Sequence, residues 1–152
     1  MSNELILLAH PTVGALGILA AVWVFVEALN ASSRNRTRIR VASLAVACLI
    51  WASYVVGGYW YVTFYYADKA RIVAGPWPFA HSVFMETKEH VFLMLLLLAT
   101  FLPIAAFGDI IVSRGARNLV LWSSALVVLI GLSMEGAGAF IAMGVKVALL
   151  AK

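Results

Sequence analysis

The sequence predicts an all-α integral membrane protein, a four-helix up-down bundle with both termini on the non-cytoplasmic side. Three observations carry that prediction. Hydrophobic residues make up 64% of the 152-residue chain and charged residues 12%, about half the charge share of a soluble domain. Four apolar stretches, about 11–30, 41–65, 90–112 and 119–145, each reach the roughly 20 residues that a ~30 Å hydrocarbon layer requires. Backbone groups in lipid must be satisfied internally, so these stretches are helices. The third observation is where the arginines fall. The connection "SSRNRTRIR" holds Arg34, Arg36, Arg38 and Arg40, and "SRGARN" holds Arg114 and Arg117. The positive-inside bias puts those two connections in the cytoplasm.

The first span follows the leader "MSNELILLAH", which has no basic residue and carries Glu4. That is the wrong flank for a cleaved signal peptide, so the segment is expected to be retained. His10 opens the span, with Pro11 in the first turn, where proline is tolerated. The second span holds the single cysteine, Cys48, which can form no intrachain disulfide. It ends in "YVVGGYWYVTFYY", whose rings suit an aromatic belt at the headgroup layer. Gly57 and Gly58 within it permit the close approach of a helix backbone or a flat group.

Residues 66–89 read as an outer capping loop of a length that usually folds over something or carries function. Within it Pro76 and Pro78 exclude regular helix from "GPWPF", and Trp77 and Phe79 lay that piece on the membrane surface. Its charges are mixed: Lys69, Arg71 and Lys88 against Asp68, Glu86 and Glu89. The third span opens with His90 and the fourth carries Glu135 in "GLSMEGAGAF". The short first and third connections make spans 1 and 2, and spans 3 and 4, antiparallel neighbours. The pI near 9.5 follows from this topology, and no nucleic-acid partner is implied. The "NRT" tripeptide at 35–37 faces the wrong side for glycosylation.

Polar side chains in a membrane span are costly and therefore functional candidates. Glu27 and Asp109 sit beside the arginine-rich connections, where ion pairs with Arg34 or Arg114 are expected. His10 and His90 open two helices running the same way, so both lie near the outer edge of the hydrocarbon. Glu135 lies about 24 Å along the fourth span at 1.5 Å per residue, at a similar level. Gly14 and Gly17, at i+4 and i+7 from His10, clear a strip below its imidazole, and Gly131, Gly136 and Gly138 surround Glu135.

Three readings of this set stay open. In the first, His10 and His90 are axial ligands of a b-type haem filling the bundle between diagonal helices. On these two histidines, the attendant glycines and the four spans, the sequence resembles small membrane-embedded cytochromes b, which place bis-histidine haem between parallel helices near one membrane face. It departs from the two-haem pattern, because Trp23, Val24, Pro103 and Ile104 occupy the deeper ligand positions. The resemblance implies single-haem electron transfer, with Lys69, Arg71 or Lys88 neutralising the propionates. A quinone would be admitted beneath the loop, and Glu135 would be the catalytic candidate, bonding a ligand or accepting a quinone-coupled proton. In the second reading, His10, His90, Glu86 and Glu135 hold a single or paired transition-metal ion, since Glu86 and His90 are spaced i, i+4 and nitrogen–oxygen sets suit zinc, iron or copper. In the third, the histidines cap helices, Glu135 bonds a tyrosine, and the chain is a structural subunit of a larger complex. In each case the protein is multi-pass in a bacterial inner or cell membrane, with the lipid bilayer and a redox partner or larger complex as its partners. No nucleophilic triad, phosphate loop or CxxC motif points to a hydrolase, kinase or thiol oxidoreductase.

Overall fold

The computed structural model describes residues 3–151, and Met1, Ser2 and the Glu4 side chain of the leader lie outside the described part. It contains four α-helices, α1 (Asn3–Leu29), α2 (Arg36–Ala74), α3 (Glu86–Phe107) and α4 (Arg114–Leu150), with a π-helical stretch, Ala80–Met85, leading into α3. No strand occurs among the described residues. All four helices are long and apolar enough to cross a membrane.

Most of that apolar surface faces outward. In the spanning windows only 17 to 33% of residues are buried inside the protein, and Leu19, Trp23, Val55, Leu97, Trp122 and Leu132 are all exposed. Water would not tolerate so much exposed hydrocarbon on a monomer, whereas lipid solvates it.

α1 packs against α2 and α4, and α3 against the same two, while α1 and α3 share no contact among the described residues. The apolar interior falls into two clusters. The larger is built on Val24, Ile39, Val46, Leu102 and Val127, toward the arginine-bearing connections. The smaller is built on Tyr65, Ile72, Ala80, Met85 and Ile141. It forms a head from the C-terminal parts of α2 and α4 and the π-helical stretch.

The head corrects the expected 66–89 loop. α2 runs unbroken to Ala74 and spans 39 residues, about 58 Å, well beyond the ~30 Å of hydrocarbon. The segment "YADKARIVA" contains no glycine or proline, and Arg71 pairs with Asp68 at 2.9 Å across one helical turn. Polarity marked it as extramembrane, but nothing in it breaks a helix. The break comes at Gly75 to Pro78, where prolines were expected to impose it. α3 likewise begins at Glu86, ahead of the expected position 90, and ends at Phe107.

At the other end Arg40 closes α3. Its guanidinium donates to the carbonyls of Ala106 (3.4 Å) and Phe107 (2.9 Å) and lies over the Phe107 ring, satisfying carbonyls that a helix end leaves free. Glu27 pairs with Arg38 at 3.4 Å in place of the expected Arg34, and it accepts from the Asn35 amide at 2.8 Å. Asn35 is itself buried, bonded also to the Glu27 and Asn30 carbonyls, which suits a structural turn and not a glycan. Asp109 is exposed with no ion pair among the described residues.

The head is tightly joined. A Cβ on Gly75 would stand 2.7 Å from the Ala148 Cβ and 3.2 Å from its Cα, whereas one on Gly58 would meet nothing. Gly75→Ala should therefore lower stability in detergent by about 1–3 kcal/mol through overpacking. Gly58→Ala should be neutral or stabilising by up to about 1 kcal/mol. Denaturation midpoints in mixed micelles check this, and equal midpoints for the two variants would refute the tight α2–α4 junction.

Candidate functional site

Between the two apolar clusters lies one polar layer to which each helix contributes a side chain: His10 from α1, Ser53 from α2, Lys88 from α3 and Glu135 from α4. Its centre is the join of α1 and α2. His10 Nδ1 stands 2.9 Å from the Ser53 carbonyl oxygen and 3.1 Å from Ser53 Oγ. A carbonyl can only accept, so Nδ1 carries the proton and donates. The Ser53 hydroxyl in turn donates to the His10 carbonyl at 3.0 Å. The imidazole is thereby held in one orientation, with Nε2 making no hydrogen bond among the described residues.

Glycines make the approach possible. A Cβ on Gly57 would lie 2.5 Å from His10 Nδ1, and one on Gly14 would lie 2.7 Å from Glu135 Oε1 and 3.1 Å from Ser53 Oγ. The His10 ring thus rests directly on the α2 backbone, and the Glu135 carboxylate rests on that of α1 beside the Ser53 hydroxyl. Lys88 completes the layer. Its Nζ would be 3.2 Å from a Cβ on Gly138, one turn along α4 from Glu135.

The structure separates the other expected participants from this layer. His90 is exposed, and its Nδ1 donates to the carbonyl of Glu86 on its own helix, 2.6 Å away. It precedes Ala99, which is fully buried, by nine residues; at about 100° per residue that is half a revolution, so His90 faces away from the interior. Lys69 and Arg71 lie at the head end of α2. Lys69 is 16 positions beyond Ser53, about 24 Å, and Arg71 is engaged by Asp68. The space at Gly17 is filled by Ile50, as that at Gly14 is by Glu135 and Ser53.

A haem does not fit this arrangement. The strip that would receive the macrocycle is occupied by Glu135, Ser53 and Ile50, and His90 is turned away from His10. The metal set is dispersed too. Glu86 pairs with His81 at 3.5 Å, and no group of three or more His, Cys, Asp or Glu suited to a metal ion occurs among the described residues. Two open surface grooves, of about 520 and 420 Å³, lie along the head end of α2, and neither is lined by His10, Lys88 or Glu135.

Sequence reasoning found His10, Glu135 and Gly14 but missed Ser53 and the inward direction of Lys88. Ser53 offered a signal, being a hydroxyl inside an apolar span one turn before Gly57. No protein-family model, curated protein or solved structure matches the chain.

If His10 occupies the gap above Gly57, the two residues must be energetically coupled. Gly57→Ala alone should lower stability by about 1–3 kcal/mol. In a His10→Ala background the same change should have little effect, giving a coupling of at least about 1 kcal/mol in a double-mutant cycle. Additive effects would show that the ring lies elsewhere.

Proposed function

We propose that the chain is a proton-handling component of a bacterial cell membrane, in which Glu135 exchanges a proton with the non-cytoplasmic side. The observation that carries this reading is the convergence of His10, Ser53, Lys88 and Glu135, one from each helix, on a single level inside an apolar bundle. Ionisable groups in such a place are retained where they take part in transport or relay.

The orientation we propose is an up-down bundle with both termini outside. It is supported by the arginines at one end of the helices and by the register of side chains. His10 meets Ser53, Gly17 meets Ile50, Gly131 meets Ile18 and Gly75 meets Ala148. With the hydrocarbon beginning near Arg40, a 30 Å layer reaches about Trp60, where the exposed Tyr59 and half-buried Trp60 fit an interfacial belt. Ser53 then lies about 10 Å inside the outer boundary, and the head stands beyond it.

In this layer Lys88 supplies the positive charge that makes an intramembrane carboxylate tolerable. His10 presents Nε2 as a relay atom whose orientation Ser53 fixes. Gly14 lets the carboxyl lie against α1 with its oxygens free to exchange.

Infrared difference spectra of the protein in lipid nanodiscs, recorded between two pH values, should contain a carboxyl C=O band that Glu135→Gln removes. His10→Gln should alter that band without abolishing it. A spectrum unchanged by Glu135→Gln would eliminate the proton role and leave a structural subunit. A Soret band in the purified protein, lost in His10→Ala, would return the function to haem-based electron transfer.

A further inference from the structure

The smaller of the two surface grooves marks a step in the bundle. His10 of α1 meets Ser53 of α2 and rests on Gly57. From that join the described part of α1 runs only to Asn3, whereas α2 continues to Ala74. The groove, of about 420 Å³, lies where α1 stops and α2 rises above it. Its lining includes Leu7 of α1 and Trp60, Phe64, Ala67, Asp68 and Arg71 of α2. The α2 residues recur at i, i+4, i+7, i+8 and i+11, which is a single helical face.

With the outer limit of the hydrocarbon near Trp60, as proposed above, the groove opens from the acyl layer into the headgroups. Tyr59 and Tyr66 are both exposed and suit the headgroup layer. Asp68 follows Tyr66 by two residues, about 3 Å. Side chains of an α-helix lean toward its N-terminus, so Asp68 and Arg71 lean back toward the lipid. Arg71 Nη1 donates to Asp68 Oδ1, one turn nearer the bilayer, at 2.9 Å. That bond uses one of the five guanidinium N–H donors and one carboxylate oxygen. The other four donors and Oδ2 make no bond among the described residues. The alternative is a pair that only stiffens α2. An i, i+3 pair contributes little to a helix, and this end of α2 is already fixed by Tyr65 and Ile72 in the head cluster.

We propose that the step binds one phospholipid with a primary ammonium headgroup. The Arg71 guanidinium takes the phosphate, which its planar fork suits, and Asp68 Oδ2 accepts from the ammonium. An acyl chain lies along Phe64, Trp60 and Leu7. A cation and an anion side by side match a headgroup in which two carbons join phosphate to ammonium. A quaternary ammonium has no N–H to donate, and a headgroup of net negative charge lacks the cation that Asp68 requires. The step therefore selects phosphatidylethanolamine over phosphatidylcholine and phosphatidylglycerol. The site depends on the proposed depth of the bundle and not on the proton role of Glu135.

The test is native mass spectrometry of the full chain, delipidated in detergent and offered an equimolar mixture of the three lipids. The native protein should retain one phosphatidylethanolamine about tenfold over either competitor. Asp68→Asn should bring phosphatidylethanolamine and phosphatidylcholine to equal retention, and Arg71→Gln should lower retention of all three. Lys146→Gln, at an exposed position of α4 outside the groove, should keep the native selectivity. Brominated phosphatidylethanolamine should quench Trp60, read as the difference between the native protein and Trp60→Phe. Equal retention of the three lipids by the native protein would overturn the site. So would native selectivity in both Asp68→Asn and Arg71→Gln, or quenching that Trp60→Phe leaves unchanged. Each of these results would leave the Glu135 carboxyl band in place, so the lipid site and the proton reading fail separately.

Discussion

A polar side chain in hydrocarbon must find its partners within the bundle, and the packing of the His10 imidazole onto the backbone at Gly57 answers that requirement. The contact sets the register of α1 against α2, because the ring fits only where a side chain is missing. Two hydrogen bonds to one residue then lock it: Ser53 accepts from Nδ1 through its carbonyl and donates to the His10 carbonyl through its hydroxyl. With that join fixed, Gly14 faces α4 at the height of Glu135. The carboxylate and the serine hydroxyl fill the same small space from two sides. A whole layer follows from three missing side chains, at Gly14, Gly57 and Gly138.

The layer also divides the molecule. Toward the arginines, the interior is aliphatic, and the charges at that end serve structure: Arg38 holds Glu27, and Arg40 holds the end of α3. Toward the head, the interior becomes aromatic, with Tyr65 and His81 buried against each other, while Glu86 and Glu89 bond to His81 and Tyr61 at its margin. Helices α2 and α4 are long because they serve both regions. One span's length suffices to cross a bilayer, and the remainder packs around the buried Tyr65 and His81.

The spans were legible because composition and length suffice for them, and so was the break at "GPWPF", which proline dictates. The extent of α2 was not. The polar residues of 66–74 suggest a loop, although polarity disfavours lipid contact and leaves helix formation untouched. The site was half legible. Counting along the helices brings His10 and Glu135 to one level, where His10 meets Ser53 and Glu135 meets Gly14, but height says nothing about direction around the axis. Nine residues from His90 to Ala99 make half a revolution, so a position chosen by height faces away from the interior, while Lys88, 200° away from it, faces inward. Lys88 was assigned to the outer loop because its neighbours are charged. Ser53 was overlooked because a single hydroxyl scarcely changes hydropathy, yet it makes both bonds to His10.

The presence of Lys88 bears on which species the proposed site would exchange. A carboxylate and an imidazole with a free Nε2 are a reasonable beginning for a metal site, but a metal ion would have to enter beside the Lys88 side chain, whose Nζ would lie 3.2 Å from a Cβ on Gly138, one turn from Glu135. In a low-dielectric interior that repulsion is large, since charge–charge energies grow several-fold over their values in water. The tethered ammonium already provides the countercharge that a cation would bring. A proton differs from a metal ion in this respect. It binds the carboxyl covalently, needs no open coordination shell, and leaves Lys88 as the only charge of the pair. It can also arrive along hydrogen bonds without a cavity for a hydrated ion. The electrostatics of the layer thus favour a proton over a metal ion as the species that the proposed site would exchange.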